Sequence, residues 1–551
     1  MRKLAPSAHV DTFARDHLPP QDTWPRMTLA SVPELVAYPA RMNAASELLD
    51  SWIATGHANR PCYYFGSEVW SYAKLQHAAN QIANVLVGEL GVRPGERVLI
   101  RGFNNPMFVA CWFAIMKAGA IAVATMPLLR ARELEYVTEK ARVKYALCDE
   151  RLAEEMKKTL LGSQHLKKLL YYDNEGKAGL NAMMAKAATQ FANVDTAADD
   201  VALIAFTSGT TGSPKGCMHF HRDILAICDT FARYVLKPTA DDIFTGTPPI
   251  AFTFGLGALV LFPMHAGAAT VLLEKVTPEV LLDAIQKFRV TVLFTAPTMF
   301  RTLADMVPTY DLRSLTKSVS AGETLPLATY QAWEKATGIK TIDGLGSTEM
   351  LHIFCTTAGD DIRPGATGKA CPGFELRVVD DRGEDVPPGT VGRLAVRGPT
   401  GCRYLDDPAN QATYVQHGWN FPGDAYVMDA DGYCWYQART DDMIVSAGYN
   451  ISGPEIEAVL LEHKAVKECA VVASPDPERT FIAKAFVVPR DGAVKGDALV
   501  KELQDHVKNT IAPYKYPRAI EFVDSLPRTE TGKLQRFKLR QQELERGKSG
   551  G

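Results

Sequence analysis

The 551 residues, 46% of them hydrophobic, are too many for one hydrophobic core and predict about three or four structural units with clefts between them. Lysine and arginine (60) nearly balance aspartate and glutamate (63), a formal net charge of -3 that excludes an overall basic field for nucleic acid or an anionic membrane. Ten scattered cysteines with no Cys-x-x-Cys pair, and no histidine cluster at metal-ligand spacing, fit free thiols in a reducing, cytoplasmic compartment.

The chain starts Met1-Arg2-Lys3-Leu4-Ala5-Pro6 and continues polar, without the apolar centre of a signal peptide. Residues 1–60 are rich in proline and polar side chains and read as an arm wrapped on the rest, with an amphipathic helix over 44–53. Leu75, Ala79, Ile82, Val85 and Leu86 recur at helical spacing and predict a helix over 71–90. Strand 97–101, helix 107–117, strand 121–125, helix 131–140 and strand 145–148 follow. The apolar run 108–116 ends at Lys117, far short of the roughly twenty residues a membrane-spanning helix needs. Helices alternating with apolar strands imply parallel sheets covered on both faces.

The apolar run 201–206 predicts a buried strand, and it delivers the chain into Thr207-Ser208-Gly209-Thr210-Thr211-Gly212-Ser213-Pro214-Lys215-Gly216. Glycines there free the backbone N–H groups to face a phosphate chain, and the hydroxyls and Lys215 add donors. A Walker A loop carries Ser or Thr directly after its lysine; this loop carries Gly216, so it is a phosphate loop of another kind. A flexible linker is the competing reading, which the apolar strand before it disfavours.

Beyond the loop, strands over 243–247, 269–273, 290–296 and 317–321 and a helix over 278–288 repeat the alternation. Near residue 375 the texture changes to short strands (375–380, 393–398, 432–437) punctuated by Gly, Pro and Asp turns. Past Asp441 a smaller unit holds helix 454–462, strands 468–473 and 483–489, and helix 497–510. The predicted fold class is therefore α/β. A large N-terminal domain (1–440) has two parallel-sheet α/β subdomains and a small β-rich subdomain; a small mobile α+β domain (441–545) and a disordered tail (546–551) follow.

Four further stretches carry chemistry. Ser320-Ala321-Gly322-Glu323 puts small residues after a strand, where a flat ring can approach the backbone, though Ala-Gly is also a common turn. Gly344-Leu345-Gly346-Ser347-Thr348-Glu349 offers two hydroxyls and a carboxylate, which beside a phosphate site requires a divalent cation; an exposed turn is the alternative. Asp424, after Gly423, is able to accept both ribose hydroxyls, and Arg439 to neutralise a phosphate or bridge to the sugar. Lys533, on the glycine-hinged stretch Pro527-Arg528-Thr529-Glu530-Thr531-Gly532-Lys533, matters only if the small domain folds back over the nucleotide.

In order and spacing these five motifs resemble the adenylate-forming superfamily of acyl-CoA synthetases, firefly luciferases and peptide-synthetase adenylation domains, over nearly the whole chain. Gly-Leu-Gly-Ser-Thr-Glu-Met-Leu-His-Ile-Phe (344–354) is most similar to the benzoate-CoA and 2-aminobenzoate-CoA ligases, and Ala8-His9-Val10-Asp11-Thr12-Phe13-Ala14-Arg15-Asp16 resembles the 2-aminobenzoate branch. The resemblance implies an AMP-forming acid–thiol ligase that uses ATP, Mg2+ and coenzyme A on a small aromatic carboxylic acid, as a monomer or homodimer with no nucleic-acid or membrane partner.

It assigns Thr207, Ser208, Gly209, Thr210, Thr211, Gly212 and Lys215 to the β,γ-phosphates, and Thr348 and Glu349 to the α-phosphate and Mg2+. Adenine falls against Ala321, Gly322 and Glu323, the ribose on Asp424 with Arg439 beside it. Lys533 reaches the acyl carboxylate and α-phosphate, Asp441 is the hinge, and Gly448, Tyr449 and Asn450 face the coenzyme A channel. Leu345 stands where many relatives have an aromatic ring on the adenine face.

The acyl pocket is expected from Phe252, Thr253, Phe254, Ala296, Ala321, Gly322, Leu345, Gly346, Leu351 and His352. Two phenylalanines flanking a threonine suit a flat ring with an ortho substituent. Ordinary core packing of the aromatics, and a structural role for His352, are the competing readings. Ligases for aliphatic or phenylpropanoid acids, adenylation domains that load a carrier protein, and a catalytically silent ATP-binding scaffold are the alternative functions.

Overall fold

The computed structural model describes residues 4–173, 176, 179–207, 214–446, 449–476, 480–511, 515–529 and 532–549. Ser208, Gly209, Thr210, Thr211 and Gly212 of the phosphate loop, and Gly448, lie outside the described residues; of Asp441, Tyr449 and Asn450 only the backbone is described.

The first sheet runs in the order Lys168–Tyr172, Tyr145–Asp149, Arg97–Arg101, Ile121–Thr125, Val201–Phe206, Gly216–Phe220. All neighbours are parallel except the last pair, where the chain turns straight back after the phosphate loop. Burial on both faces explains why these strands are nearly continuous apolar runs. Arg97 and Arg101 are buried all the same: Arg101 donates to the carbonyls of Met126, Pro127 and Leu129, and Arg97 pairs with Asp11 at 2.6 Å.

The second sheet has nine strands, in the order Lys369–Ala370, Ile353–Thr356, Thr341–Gly346, Lys317–Ala321, Val292–Thr295, Ile243–Gly246, Ala269–Val271, Pro61–Phe65, Glu68–Ser71. Its middle is parallel and its two edges are antiparallel. Helix Pro106–Lys117 is buried all round, which accounts for its continuous apolar run. Asn105 caps it by accepting the Phe108 N–H at 2.9 Å, and Lys117 at its end reaches Asp50 at 2.6 Å.

A third, antiparallel sheet is the small β-rich unit, where Glu375–Val379 pairs with Val391–Arg397, Val391–Arg397 with Asp424–Met428, and Asp424–Met428 with Cys434–Arg439. The N-terminal arm ties the units together. Ser7 and Arg15 reach Asp200 in the first, while Thr28 donates to Gly373 O at 2.6 Å beside the third.

The small C-terminal domain pairs Val466–Asp476 with Thr480–Pro489 and adds Ala519–Phe522 in parallel. Alternate residues face opposite ways: Val471, Ala485 and Val487 pack with Ile456, Leu460, Leu503 and Val507 of helices Gly453–Glu462 and Asp497–Thr510. Ala470, Val472, Phe486 and Val488 pack with Leu526 and Leu539 instead, beneath helix Arg536–Ser549. That helix runs into the segment expected as a disordered tail.

Other departures are local. The strand expected over 290–296 stops at Thr295, because Ala296 caps helix Pro297–Met306. The strand expected from 432 begins at Cys434, since Gly432 closes the preceding turn with φ of 83°. The helix expected over 44–53 forms, but its middle turn, Ser46–Asp50, widens to a π-turn before Ser51–Ala54.

Candidate active site

A cleft of about 1080 Å³ opens between the large and small domains. Thr207 and Lys215, Gly322 and Glu323, Leu345 and Gly346, Thr348 and Glu349, Asp424 and Arg439, and Lys533 all line it. Residues separated by more than 300 positions in sequence thus share one cleft: strand C-terminal ends of the two parallel sheets deliver Thr207, Gly322 and Leu345 to the same side, the antiparallel sheet supplies Asp424 and Arg439, and the small domain supplies Lys533.

The ends of the phosphate loop are pinned to each other. Thr207 N–H donates to Lys215 O and Lys215 N–H to Thr207 Oγ1, both at 3.0 Å. Lys215 Nζ stands 5.7 Å from the ring centre of Tyr404. The turn after Thr341–Gly346 is tight: a Cβ on Gly346 would come within 2.7 Å of His352 O, and Leu351 has φ of 71°, a strained value for a branched side chain. Two bonds from outside hold this turn. His219 Nε2–H donates to Thr348 O at 2.8 Å, and the Tyr404 hydroxyl donates to Glu349 Oε1 at 2.6 Å. Burial, and next the Glu349 carboxylate, raise the Tyr404 pKa far above the phenol range, so the hydroxyl stays protonated. Burial also lowers His219 to about 4, leaving a neutral imidazole.

On the opposite wall, Arg439 Nη1 donates to Asp424 Oδ1 at 3.0 Å and to Pro422 O at 2.7 Å. Burial raises the Asp424 pKa, and Arg439 opposes the rise. Gly423, at φ of 83°, passes so close to Arg439 that a Cβ would lie 2.7 Å from Nη2.

The small domain folds back over this wall. Lys533 N–H donates to Thr529 Oγ1 at 3.0 Å, Arg528 Nη1 donates to Gly532 O at 2.7 Å, and Leu534 N–H donates to Glu323 Oε1 at 3.1 Å. Burial pulls the Lys533 ammonium below its usual pKa, while Glu323, Glu349 and Asp424 oppose that shift. Glu323, expected beside adenine, therefore also bridges the domains, with Arg528 Nη1 3.8 Å away. Nearby, Arg301 of the large domain and Arg490 of the small one both donate to Val466 O at 3.4 Å. Arg540 pairs with Asp442 in the turn Thr440–Asp442, which contains Asp441. The hairpin Ile444–Ser446 with Tyr449–Ile451 follows.

Phe252, Thr253, Phe254, Ala296, Ala321, Leu351 and His352 are not among the residues that line this cleft; Phe254, Ala321, Leu351 and His352 pack in the hydrophobic layer beside it. Thr253 opens the short helix Thr253–Leu256, and Phe254 stands 5.9 Å from Phe294 and 5.6 Å from His352, ring centre to ring centre. His352 is buried edge-on to Phe262 at 4.5 Å, with Nε2 3.4 Å from Phe254 O and Nδ1 without a hydrogen-bond partner among the described residues. Burial lowers its pKa to about 3.

Three residues escaped sequence reasoning. Asp343 lines the cleft with an enclosed Oδ1 that has no partner among the described residues, and burial pushes its carboxyl up to about 8. An acid inside an apolar strand was the available signal. His219 and Tyr404 gave none, because their partners lie 129 and 55 positions away.

Residues 51–403 match the family model described as AMP-binding enzyme, and 455–533 match the AMP-binding enzyme C-terminal domain. A benzoate–CoA ligase of Thauera aromatica is 33% identical over 517 residues, covering 93% of this chain and 98% of the relative. The mitochondrial acyl-coenzyme A synthetase ACSM3 of Mus musculus is 32% identical, with 92% of each chain covered. Among solved structures, the anthranilate CoA ligase AuaEII in complex with anthranoyl-AMP superposes with a TM-score of 0.87 at 34% identity, covering 92% of this chain and 98% of that one.

Fold and cleft define an ATP-using adenylating enzyme. The chain belongs to the AMP-binding enzyme family, among its AMP-forming acid–CoA ligases.

Proposed function

We propose that the protein converts an aromatic carboxylic acid of the benzoate type, 2-aminobenzoate first, to its coenzyme A thioester by way of an acyl-adenylate. The observation that carries the chemistry is Lys533: a small-domain ammonium enters the cleft that holds Thr348, Glu349, Asp424 and Arg439. An aromatic acid is supported by the names of the benzoate and anthranilate ligases and by the aromatic layer around Phe254 and His352.

A carboxylate resists attack by a thiol because oxide is a poor leaving group. Its oxygen attacks the α-phosphorus of ATP, pyrophosphate departs, and the acyl carbon gains AMP as a leaving group. Anionic oxygens repel each other during that approach, and Lys533, Lys215 and Arg439 offset the repulsion where charge develops. Asp424 accepts from the ribose hydroxyls and holds the nucleotide in register.

No cluster of three or more His, Cys, Asp or Glu ligands occurs among the described residues, and Glu349 offers a carboxylate beside the expected phosphates. That donor set fits Mg2+, which takes one or two carboxylates with substrate phosphates and water and supplies charge neutralisation there.

In the second step the thiol of coenzyme A attacks the acyl carbon and AMP leaves. It needs the space Lys533 fills, so the small domain turns about Asp441 and presents Gly448, Tyr449 and Asn450. Ten free cysteines, all buried, suit the reducing cytoplasm, and no described helix is long and apolar enough to cross a membrane.

A second reading, an aliphatic acyl-CoA synthetase, is favoured by the ACSM3 relative at similar identity. The test is a panel of substituted benzoates, hexanoate and octanoate scored by AMP formation with coenzyme A present. A higher kcat/KM for an aliphatic acid than for any benzoate overturns the aromatic assignment. ADP and orthophosphate as products overturn the reaction itself.

A further inference from the structure

We propose that His219 and Tyr404 are positioning residues that fix the Thr348–Glu349 pair from behind, one by its backbone and the other by its carboxylate. The roles of Thr348 and Glu349 rest on the function proposed above; the two hydrogen bonds do not.

The two residues arrive side by side. Strand Gly216–Phe220 leaves the phosphate loop and is flanked by the segment 402–405, with Met218 N–H donating to Arg403 O and Leu405 N–H to Gly216 O, both at 2.8 Å. His219 and Tyr404 are each at most 1% exposed, so neither side chain has solvent in which to relax. Behind His219 lies a fully buried ion pair: Arg403 Nη1 is 2.7 Å from Asp223 Oδ2, which is 3.9 Å from His219 Nδ1. The Arg403 guanidinium lies 4.1 Å from the ring centre of Phe220 and also donates to Met218 O at 3.3 Å. This ion pair anchors the strand, and the strand anchors the imidazole.

The consequence for the site is directional. The Thr348 carbonyl is drawn back at 2.8 Å, and Thr348 lines the cleft. Glu349 Oε1 is taken by the phenol at 2.6 Å, while Oε2 has no protein donor among the described residues. A charge-assisted bond of that length fixes the carboxylate's rotation and so the direction its second oxygen offers a cation.

Partners that orient a metal-binding carboxylate are typically worth about 10–100-fold in metal affinity or activity. Tyr404→Phe keeps the ring and removes the donor. It is expected to raise the Mn2+ dissociation constant of the enzyme–ATP complex, measured by electron paramagnetic resonance, by about tenfold or more. ATP–pyrophosphate exchange should fall with it, while the KM for the acid and the conversion of supplied acyl-AMP by coenzyme A stay at parent values. His219→Leu should lose about tenfold in exchange, and His219→Gln, which keeps an amide donor, should lose less. Mn2+ affinity within twofold of the parent in Tyr404→Phe overturns the role of Tyr404, and equal exchange by His219→Gln and His219→Leu overturns that of His219. If the parent shows no exchange with any acid, the proposed function fails, and the Mn2+ titration still decides the Tyr404 contact.

Discussion

Glu323 of the large domain accepts the backbone N–H of Leu534 of the small domain at 3.1 Å, one residue from Lys533. A carboxylate on the nucleotide wall thereby holds the incoming lysine in place. Glu323→Ala is expected to lower acid-dependent pyrophosphate release by about tenfold, since a charge-assisted bond contributes roughly 1.5–3 kcal/mol. Conversion of supplied acyl-AMP, which needs the lysine elsewhere, should be spared. Equal loss in both half-reactions would show that Glu323 serves the nucleotide alone.

Lys533→Ala should cost on the order of a hundredfold or more in the adenylation step, the usual consequence of losing one aimed charge from a site of developing negative charge. Thioester formation from supplied acyl-AMP should persist. Single-turnover assays of the two half-reactions separate these outcomes, and comparable loss in both would remove the alternation of domain orientations.

Gly257 faces the imidazole of His352 so closely that a Cβ there would lie 2.4 Å from Cδ2 and 2.7 Å from Nε2. Gly257→Ala must push the ring aside, at a cost of about 1–3 kcal/mol in stability for an overpacked core. If His352 borders the acid, KM for benzoates should change while KM for ATP does not. A stability loss with both KM values unchanged would mark His352 as core only.

Three buried imidazoles predict acid lability. Burial lowers His219 to about 4, with Asp223 and Arg403 as its charged neighbours; His221 to about 3, facing His9 and Asp200; and His352 to about 3, against Phe254 O. Their folded pKa values lie below that of an unfolded histidine, about 6.5, so between there and pH 4 the unfolded chain binds protons that the folded chain refuses. Stability is therefore lost as pH falls through that window; Asp343, whose raised carboxyl keeps a proton that the unfolded chain has released, offsets one of the three, leaving a net slope of up to about 3 kcal/mol per pH unit. Tm measured from pH 7 to pH 5 should drop steeply, and less steeply in His221→Gln; a flat Tm over that range would contradict the buried neutral state.

Much of this arrangement was legible in the chain because apolar runs and glycine-rich turns are local signals. The parallel strands 97–101, 121–125 and 201–206 announce themselves by continuous hydrophobicity, and the motifs at 344–349, 423–424 and 532–533 by composition. Pro61–Phe65 and Glu68–Ser71 fall between the arm ending at residue 60 and the helix expected from 71; Pro61–Phe65 joins the second sheet beside Ala269–Val271, a pairing across some two hundred positions that no local pattern encodes. Phe254 and His352 are expected from the sequence to line the acid pocket, but Phe231 and Phe262, which pack on His352, carry no local signal, and the separation of this layer from the main cleft depends on that packing. Asp343 shows the same limit, since its raised pKa comes from the walls around it.

Arg301 and Arg490 share the Val466 carbonyl, and each guanidinium comes from a different domain. The positive charge of Arg490 is one reason the pKa of Arg301 is held down, after burial itself. Bringing two like charges onto one oxygen makes closure a compressed contact whose push relaxes when dissolved ions intervene, within a screening distance of about 8 Å at physiological ionic strength. Arg490→Ala, which removes this repulsion and leaves the Glu323–Arg528 attraction across the same boundary, should therefore change how the radius of gyration in X-ray scattering responds to added sodium chloride; an unchanged response would refute that recoil.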